Sequence, residues 1–121
     1  MKNKSKRQLQ IGEQIKRILA EIFMRDNNFS LPGVHITISE ADVSADIKNA
    51  KIFVNIFGKI NDRSILIGEL NKKAAVYLRT KLAKQLTTRY VPALFFILDN
   101  AIEKGNEMDK ILKKESENFD D

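Results

Sequence analysis

Arg89–Asp99 reads R-Y-V-P-A-L-F-F-I-L-D and follows directly on Ala74–Thr88, A-A-V-Y-L-R-T-K-L-A-K-Q-L-T-T. The two halves differ in kind. The first is basic with leucines at helical spacing. The second turns at Pro92 and then fills six consecutive positions, Ala93 to Leu98, with apolar side chains before Asp99 closes the run. A short apolar run that is introduced by a proline and carries aromatic and β-branched residues predicts a buried strand from about Tyr90 to Leu98. A cationic helix leading into a buried strand places charge on a rigid support.

Working back from that strand, the region Arg63–Thr88 reads as helix, with Asp62 as its cap. Ile67, Leu70, Ala74, Leu78, Leu82 and Leu86 form its apolar stripe. Twenty-six residues is long for one helix in a small domain, so a bend is expected at Ala74-Ala75-Val76. Upstream, Ala50, Ile52, Val54 and Ile56 alternate with Lys51, Phe53, Asn55 and Phe57. Val34, Ile36 and Ile38 alternate with His35, Thr37 and Ser39. Two antiparallel strands follow, joined by a polar turn at Ser44-Ala45-Asp46. The apolar phase of the first slips by one residue to Ala41 and Val43, which predicts a β-bulge near Ser39-Glu40. Before them, Ser5-Lys6-Arg7-Gln8 has the form of a capping box. Ile11, Ile15, Ile18, Leu19, Ile22 and Phe23 then mark one face of a helix from Lys6 to Arg25.

The order is α-β-β-α-α-β, an α+β sandwich like that of type II K-homology domains, with a three-stranded mixed sheet and the helices on one face. A strand that returns after a helical crossover prefers a right-handed parallel connection, and on that ground the third strand is expected beside the first. A terminal helix is expected from Asn106 to Leu112. Residues 1–112 are read as one domain and 113–121 as a polar acidic, disordered tail. Phe53 and Phe57 face away from the main alternation and would complete a second small core with the terminal helix.

Composition narrows the function. No cysteine is present, and His35 is the sole histidine. That excludes thiolate chemistry, thiolate zinc sites and any two-histidine metal site within the chain. No run approaches the ~20 apolar residues of a membrane span. The basic start M-K-N-K-S-K-R lacks the apolar segment of a secretory signal. No cofactor, no membrane contact and a cytoplasmic setting are expected. Residues 1–90 hold 17 Lys and Arg against 8 Asp and Glu, whereas residues 91–121 hold 4 against 8, for a net charge of +5. A basic body with an acidic end suggests a polyanionic partner.

Candidate sites follow from the charge. At about 100° per residue, Lys73, Tyr77, Thr80, Lys81, Lys84 and Thr88 project onto one arc away from the leucines. Lysines at one-turn spacing can follow phosphates, and a tyrosine among them can stack on a base. Arg89 extends the patch and Arg79 lies beside it. The RNA-binding set is therefore Lys73, Tyr77, Arg79, Lys81, Lys84 and Arg89. Lys2, Lys4, Lys6 and Arg7 form a second basic cluster that could act as an arm. His35 with Ser39 and Asp42 lacks the geometry of a triad. The carboxylate pairs Glu107 with Asp109 and Glu115 with Glu117 read as solvated charge. There is no Walker loop, no G-x-G-x-x-G and no G-x-x-G backbone clamp. No catalytic residue is assigned, and no enzyme activity is expected.

Four stretches resemble the ribosome-binding factor A family: Ile15–Phe23, I-K-R-I-L-A-E-I-F; the hairpin Ile36–Phe57; the bent helix Ala74–Lys84; and Arg89–Gly105. Their order and spacing carry the resemblance over about residues 7–112. The resemblance implies a K-homology-like fold in which a helical bend of the form Ala-x-Gly replaces the clamp loop. It also implies binding to the immature 30S small ribosomal subunit and its 16S ribosomal RNA, with support of late maturation and 5′-end processing; a monomer is expected. Val76 stands where that family usually has glycine, and Ala45 where its hairpin turn usually has proline. From charge alone two other classes remain open. One is a general single-stranded nucleic-acid binder or translational regulator. The other is a protein-interaction module with an acidic partner.

Overall fold

The structure is a computed structural model that describes residues 3–29 and 32–99. Helix α1 spans Lys6–Arg25 and opens on the expected capping box. The Ser5 hydroxyl accepts from Gln8 N at 3.1 Å, and Gln8 Oε1 accepts from Ser5 N at 2.8 Å. Two otherwise orphaned amides are thereby satisfied. The face carrying Ile11, Ile15, Ile18, Leu19, Ile22 and Phe23 is buried. Gly12 lets this helix lie directly on the sheet backbone, because a Cβ there would stand 2.7 Å from the Ala41 carbonyl oxygen.

Strands β1 (Val34–Val43) and β2 (Asn49–Gly58) form an antiparallel hairpin. The register slips between Ile38 and Glu40, leaving Ser39 unpaired at the expected bulge. That extra residue keeps Ile38 and Val43 on the core side. The Ser39 hydroxyl lies 2.6 Å from Asp99 Oδ2 and 3.2 Å from the Phe53 carbonyl, tying the bulge to the end of the third strand. At the hairpin tip, Ile47 takes a positive φ of 62°. This is an unfavourable conformation for a β-branched residue, and burial of its side chain opposes the cost.

Helix α2 spans Arg63–Glu69, with Asp62 Oδ1 accepting from Ser64 N at 2.9 Å. A π-helical turn, Leu70–Ala74, follows, and α3 runs over Ala75–Ala83. The irregularity expected at Ala74–Val76 takes the form of this π turn, which lies mostly N-terminal to that position and ends at Ala74. Leu70 and Leu78, eight positions apart, would stand about 80° out of line on an unbroken α-helix. The wider turn absorbs that offset, and Leu70, Leu78 and Leu82 all reach the core. No residue at the bend has positive φ, and Val76 is 75 % exposed. A side chain at the position the family gives to glycine therefore meets neither strain nor crowding.

Strand β3 (Ala93–Leu98) corrects one expectation. The sheet order is β1-β2-β3, so the third strand lies beside the second and parallel to it, with Asn49 opposite Ala93 and Val54 opposite Leu98. The crossover rule concerns the two strands the crossover joins, here β2 and β3. Adjacent placement also satisfies the open edge of β2: Ala93 N donates to Lys48 O at 2.9 Å and Asp99 N to Val54 O at 2.7 Å. As the central strand, β2 has Ala50, Ile52 and Val54 fully buried. The boundaries are also corrected. The helix stops at Ala83 rather than Thr88, and the strand begins at Ala93 rather than Tyr90. Pro92 has no amide hydrogen to donate and disfavours helix at Val91, so strand pairing starts only after it.

Beyond the bulge, β3 is held by a side chain. Asn71, presented by the π turn, donates from Nδ2 to Phe96 O at 2.9 Å and accepts at Oδ1 from Phe96 N at 2.7 Å. It takes the place of a neighbouring strand at the middle of the sheet's open edge. A single core joins α1, the inner sheet face, the π turn and α3. On the opposite face Phe53 is half-buried, and Phe57 and Phe95 are exposed. The expected terminal helix, its packing on Phe53 and Phe57, and the acidic tail lie outside the described residues.

Candidate nucleic-acid interface

The six sequence-predicted residues do not form one uniform face. Lys84 is the C-cap of α3 and is exposed; its ammonium has no hydrogen bond or ion pair among the described residues. Arg89 is exposed in the loop that follows, with its guanidinium carbon 5.7 Å from the centroid of the Tyr90 ring. Lys73 sits in the π turn and pairs with Glu69 at 2.9 Å, but both side chains are exposed. Such a pair contributes little to stability, so Lys73 remains free to exchange Glu69 for a phosphate.

Tyr77, Lys81 and Arg79 are bound to the fold. The Tyr77 hydroxyl donates to Asp26 Oδ2 at 2.5 Å, and its ring packs 6.0 Å from Phe29. The role of open stacking platform read for Tyr77 therefore does not fit its position. The Lys81 ammonium lies 3.3 Å from Asp26 Oδ2 and 5.2 Å from the Tyr77 ring centroid. The bond from Tyr77, the Asn28 amide and Lys81 hold the Asp26 carboxyl below its usual range. Tyr77 and Asp26 raise the Lys81 ammonium above its own. This cluster joins the end of α1 to α3 and fixes the angle at which α3 presents its charge. Arg79 donates from Nε at 3.2 Å and from Nη2 at 2.8 Å to Val91 O, anchoring the loop ahead of β3. Helical projection placed Thr88 on the same arc, but α3 has already ended, and Thr88 Oγ1 instead donates to Tyr90 O at 2.8 Å.

The second basic cluster is also divided. Lys4 pairs with Asp42 and donates to Val43 O at 3.4 Å. Lys6 and Arg7 are exposed, and Lys2 lies outside the described residues. Arg7, Asp46, Lys48, Arg79, Thr88 and Tyr90 line a cleft of about 530 Å³ where α1, the hairpin tip and the α3–β3 loop converge. The sequence reading missed the contribution of Lys48 and Tyr90. Tyr90 was assigned to the apolar strand, whereas the loop ahead of Pro92 leaves it 70 % exposed.

The catalytic possibilities dissolve in the structure. Ser39 is bonded to Asp99, Asp42 to Lys4, and His35 sits opposite Phe57 at the far end of the hairpin. Among the described residues no three His, Cys, Asp or Glu side chains group to hold a metal ion. No described helix is long and apolar enough to cross a membrane. A K-homology-like α+β domain with cations at one end of a helix interrupted by a π turn is what the fold and this surface define.

Comparison with known proteins makes the assignment specific. The pattern of the family described as ribosome-binding factor A matches residues 7–112, and the chain belongs to that family. The ribosome-binding factor A of Zymomonas mobilis is 36 % identical over 109 residues, covering 88 % of this chain and 76 % of that protein. The solution structure of a ribosome-binding factor A protein from Thermotoga maritima superposes with a TM-score of 0.65 at 27 % identity, covering 85 % and 96 % of the two chains. The Thermus thermophilus protein, as fitted into a map of its complex with the 30S subunit, gives 0.58 at 22 % identity over 74 % of this chain and 91 % of that one, a likeness of fold. The family comprises ribosome-binding factors, not enzymes.

Proposed function

We propose that this chain binds the immature 30S small ribosomal subunit through its 16S ribosomal RNA, as a cytoplasmic monomer, and supports late maturation and 5′-end processing of that RNA. The observation that carries the reading is the pairing of family membership over residues 7–112 with uncommitted cations on α3 and its following loop. The fitted Thermus relative, which is described with the 30S subunit, supports the same partner. Lys73, Lys84 and Arg89 make the phosphate contacts. Tyr77, Lys81 and Arg79 position the helix and loop that carry them. The factor acts by holding a young RNA conformation rather than by chemistry.

Phosphate contacts of this kind release counterions, about 0.9 per contact on duplex nucleic acid. Binding should therefore weaken steeply with salt. A strain lacking the protein should accumulate small-subunit RNA with an untrimmed 5′ end and show a deficit of assembled ribosomes. The defect should deepen in the cold, where misfolded RNA escapes its traps more slowly. Normal RNA ends and a normal subunit ratio in that strain at low temperature would refute the proposal.

A further inference from the structure

We infer that the cleft beside Tyr90 is a nucleotide subsite: it takes one unpaired base of a single-stranded RNA segment onto the Tyr90 ring and seats the adjoining phosphate between Arg7 and Lys48. The inference rests on the RNA-binding reading above and adds a specific contact to it.

The ring is unusual for its exposure: among the described residues its one ring contact is the Arg89 guanidinium. Tyr90 is 70 % exposed, and its hydroxyl carries no hydrogen bond among the described residues. Tyr77, the only other tyrosine, is tied at both ring and hydroxyl. The backbone around Tyr90 is nevertheless fixed. Thr88 Oγ1 donates to Tyr90 O, Arg79 donates twice to Val91 O, and Pro92 is buried. An aromatic ring held out on a braced loop offers contact area at little ordering cost. Stacking on such a ring tolerates any base, since every base has a π-face. The Arg89 guanidinium carbon lies over one face of the ring, 5.7 Å from its centroid, so the base stacks on the opposite face with a cation behind the ring.

The cleft supplies the rest of the site. Its volume of about 530 Å³ falls in the range of small-ligand sites. Arg7 enters from the first turn of α1, Lys48 from the hairpin tip and Arg79 from α3. The one carboxylate in the lining, Asp46, is engaged in shaping the tip. Its Oδ1 accepts from Ser44 Oγ at 2.7 Å and from Lys48 N at 3.1 Å. Three cations therefore face one carboxylate whose near oxygen is already used. A duplex keeps its bases stacked inside and offers a π-face only at its two ends, so the chemistry favours a single strand.

The chain has two tyrosines and no tryptophan, which gives a direct optical readout. Tyrosine emission of the full chain is followed while a mixed-sequence single-stranded RNA hexanucleotide, or a duplex of the same length, is added. The expected result is quenching of roughly one tyrosine's share of the signal by the single strand and little by the duplex. In Tyr90→Phe the hexanucleotide should still bind, judged by anisotropy of a labelled strand, but without quenching. Tyr90→Ala should weaken hexanucleotide binding on the order of ten- to a hundredfold and reduce co-sedimentation with precursor small subunits. Unchanged emission at saturating hexanucleotide, or Tyr90→Ala with wild-type affinity, overturns the subsite while leaving subunit binding untouched. Failure of the wild-type chain to associate with any small-subunit particle refutes the broader reading instead.

Discussion

Replacing Asn71 by alanine should destabilise the domain although the residue is exposed and has no part in the apolar core. Asn71 makes two hydrogen bonds, at 2.9 and 2.7 Å, to the carbonyl and amide of Phe96 on the open edge of β3. A typical intramolecular hydrogen bond contributes about 0.5–1.5 kcal/mol net. Loss of both gives roughly 1–3 kcal/mol by the same measure. Alanine's better helix propensity returns about 0.5 kcal/mol, and water can reach the freed edge, so the lower half of that range is expected. In a domain of this size each kcal/mol shifts the thermal midpoint by about 4–8 °C. Asn71→Asp should be worse than alanine at neutral pH, because an oxygen replaces the amide that donated to Phe96 O. Thermal melts read the midpoint, and urea titrations at unchanged m-value confirm that stability itself has moved. An Asn71→Ala midpoint within one degree of wild type, or an aspartate variant more stable than the alanine one, would refute the edge-strand role of this side chain.

Leu82→Ala should cost about 2–5 kcal/mol in urea unfolding, since Leu82 is fully buried, while its salt-dependent association with subunits stays as in wild type below the melting range. Asp26 has its folded pKa lowered, so its contribution is present above its unfolded value near pH 4 and is lost as pH falls through the lower folded one. The stability gap between wild type and Asp26→Asn should therefore close below about pH 4. Lys81 has its folded pKa raised, so its contribution holds below its ordinary value and fades only as pH rises through the higher one. Lys81→Glu, which sets a carboxylate against Asp26, should lower the melting point at neutral pH by more than Lys84→Glu, whose cost is limited to that of an exposed anion at the C-terminal end of α3, about 0.3–1 kcal/mol.

Local signals were legible where one period or one motif governed them. Ser5 and Gln8 form the capping box their spacing suggests, and the phase slip after Ile38 is the bulge at Ser39. The candidate surface was less legible because one helical period was carried through Lys73–Thr88. The π turn at Leu70–Ala74 and the stop at Ala83 break that period. Tyr77 consequently turns toward Phe29 and Asp26, and Tyr90 takes the open position. Strand order was also beyond local pattern. Nothing in the apolar run Ala93–Leu98 states which neighbour it pairs with, and the free edge of β2 settles it through long-range hydrogen bonds.

On the proposed reading small-subunit association rests on Lys73, Lys84 and Arg89, and of these Lys84 and Arg89 are exposed and make no hydrogen bond or ion pair among the described residues. The double variant Lys84→Glu/Arg89→Glu and the wild type should be sedimented with precursor and with mature small subunits across a salt series, beside thermal melts of both proteins. The wild type should travel preferentially with precursor particles. The double variant should bind more weakly, with a salt slope shallower by up to about two, and should stay folded at the assay temperature, its melting point lowered only by the small cost of an exposed anion at the end of α3. A double variant that travels with precursor subunits as the wild type does at every salt concentration would contradict an RNA-binding role for this end of α3.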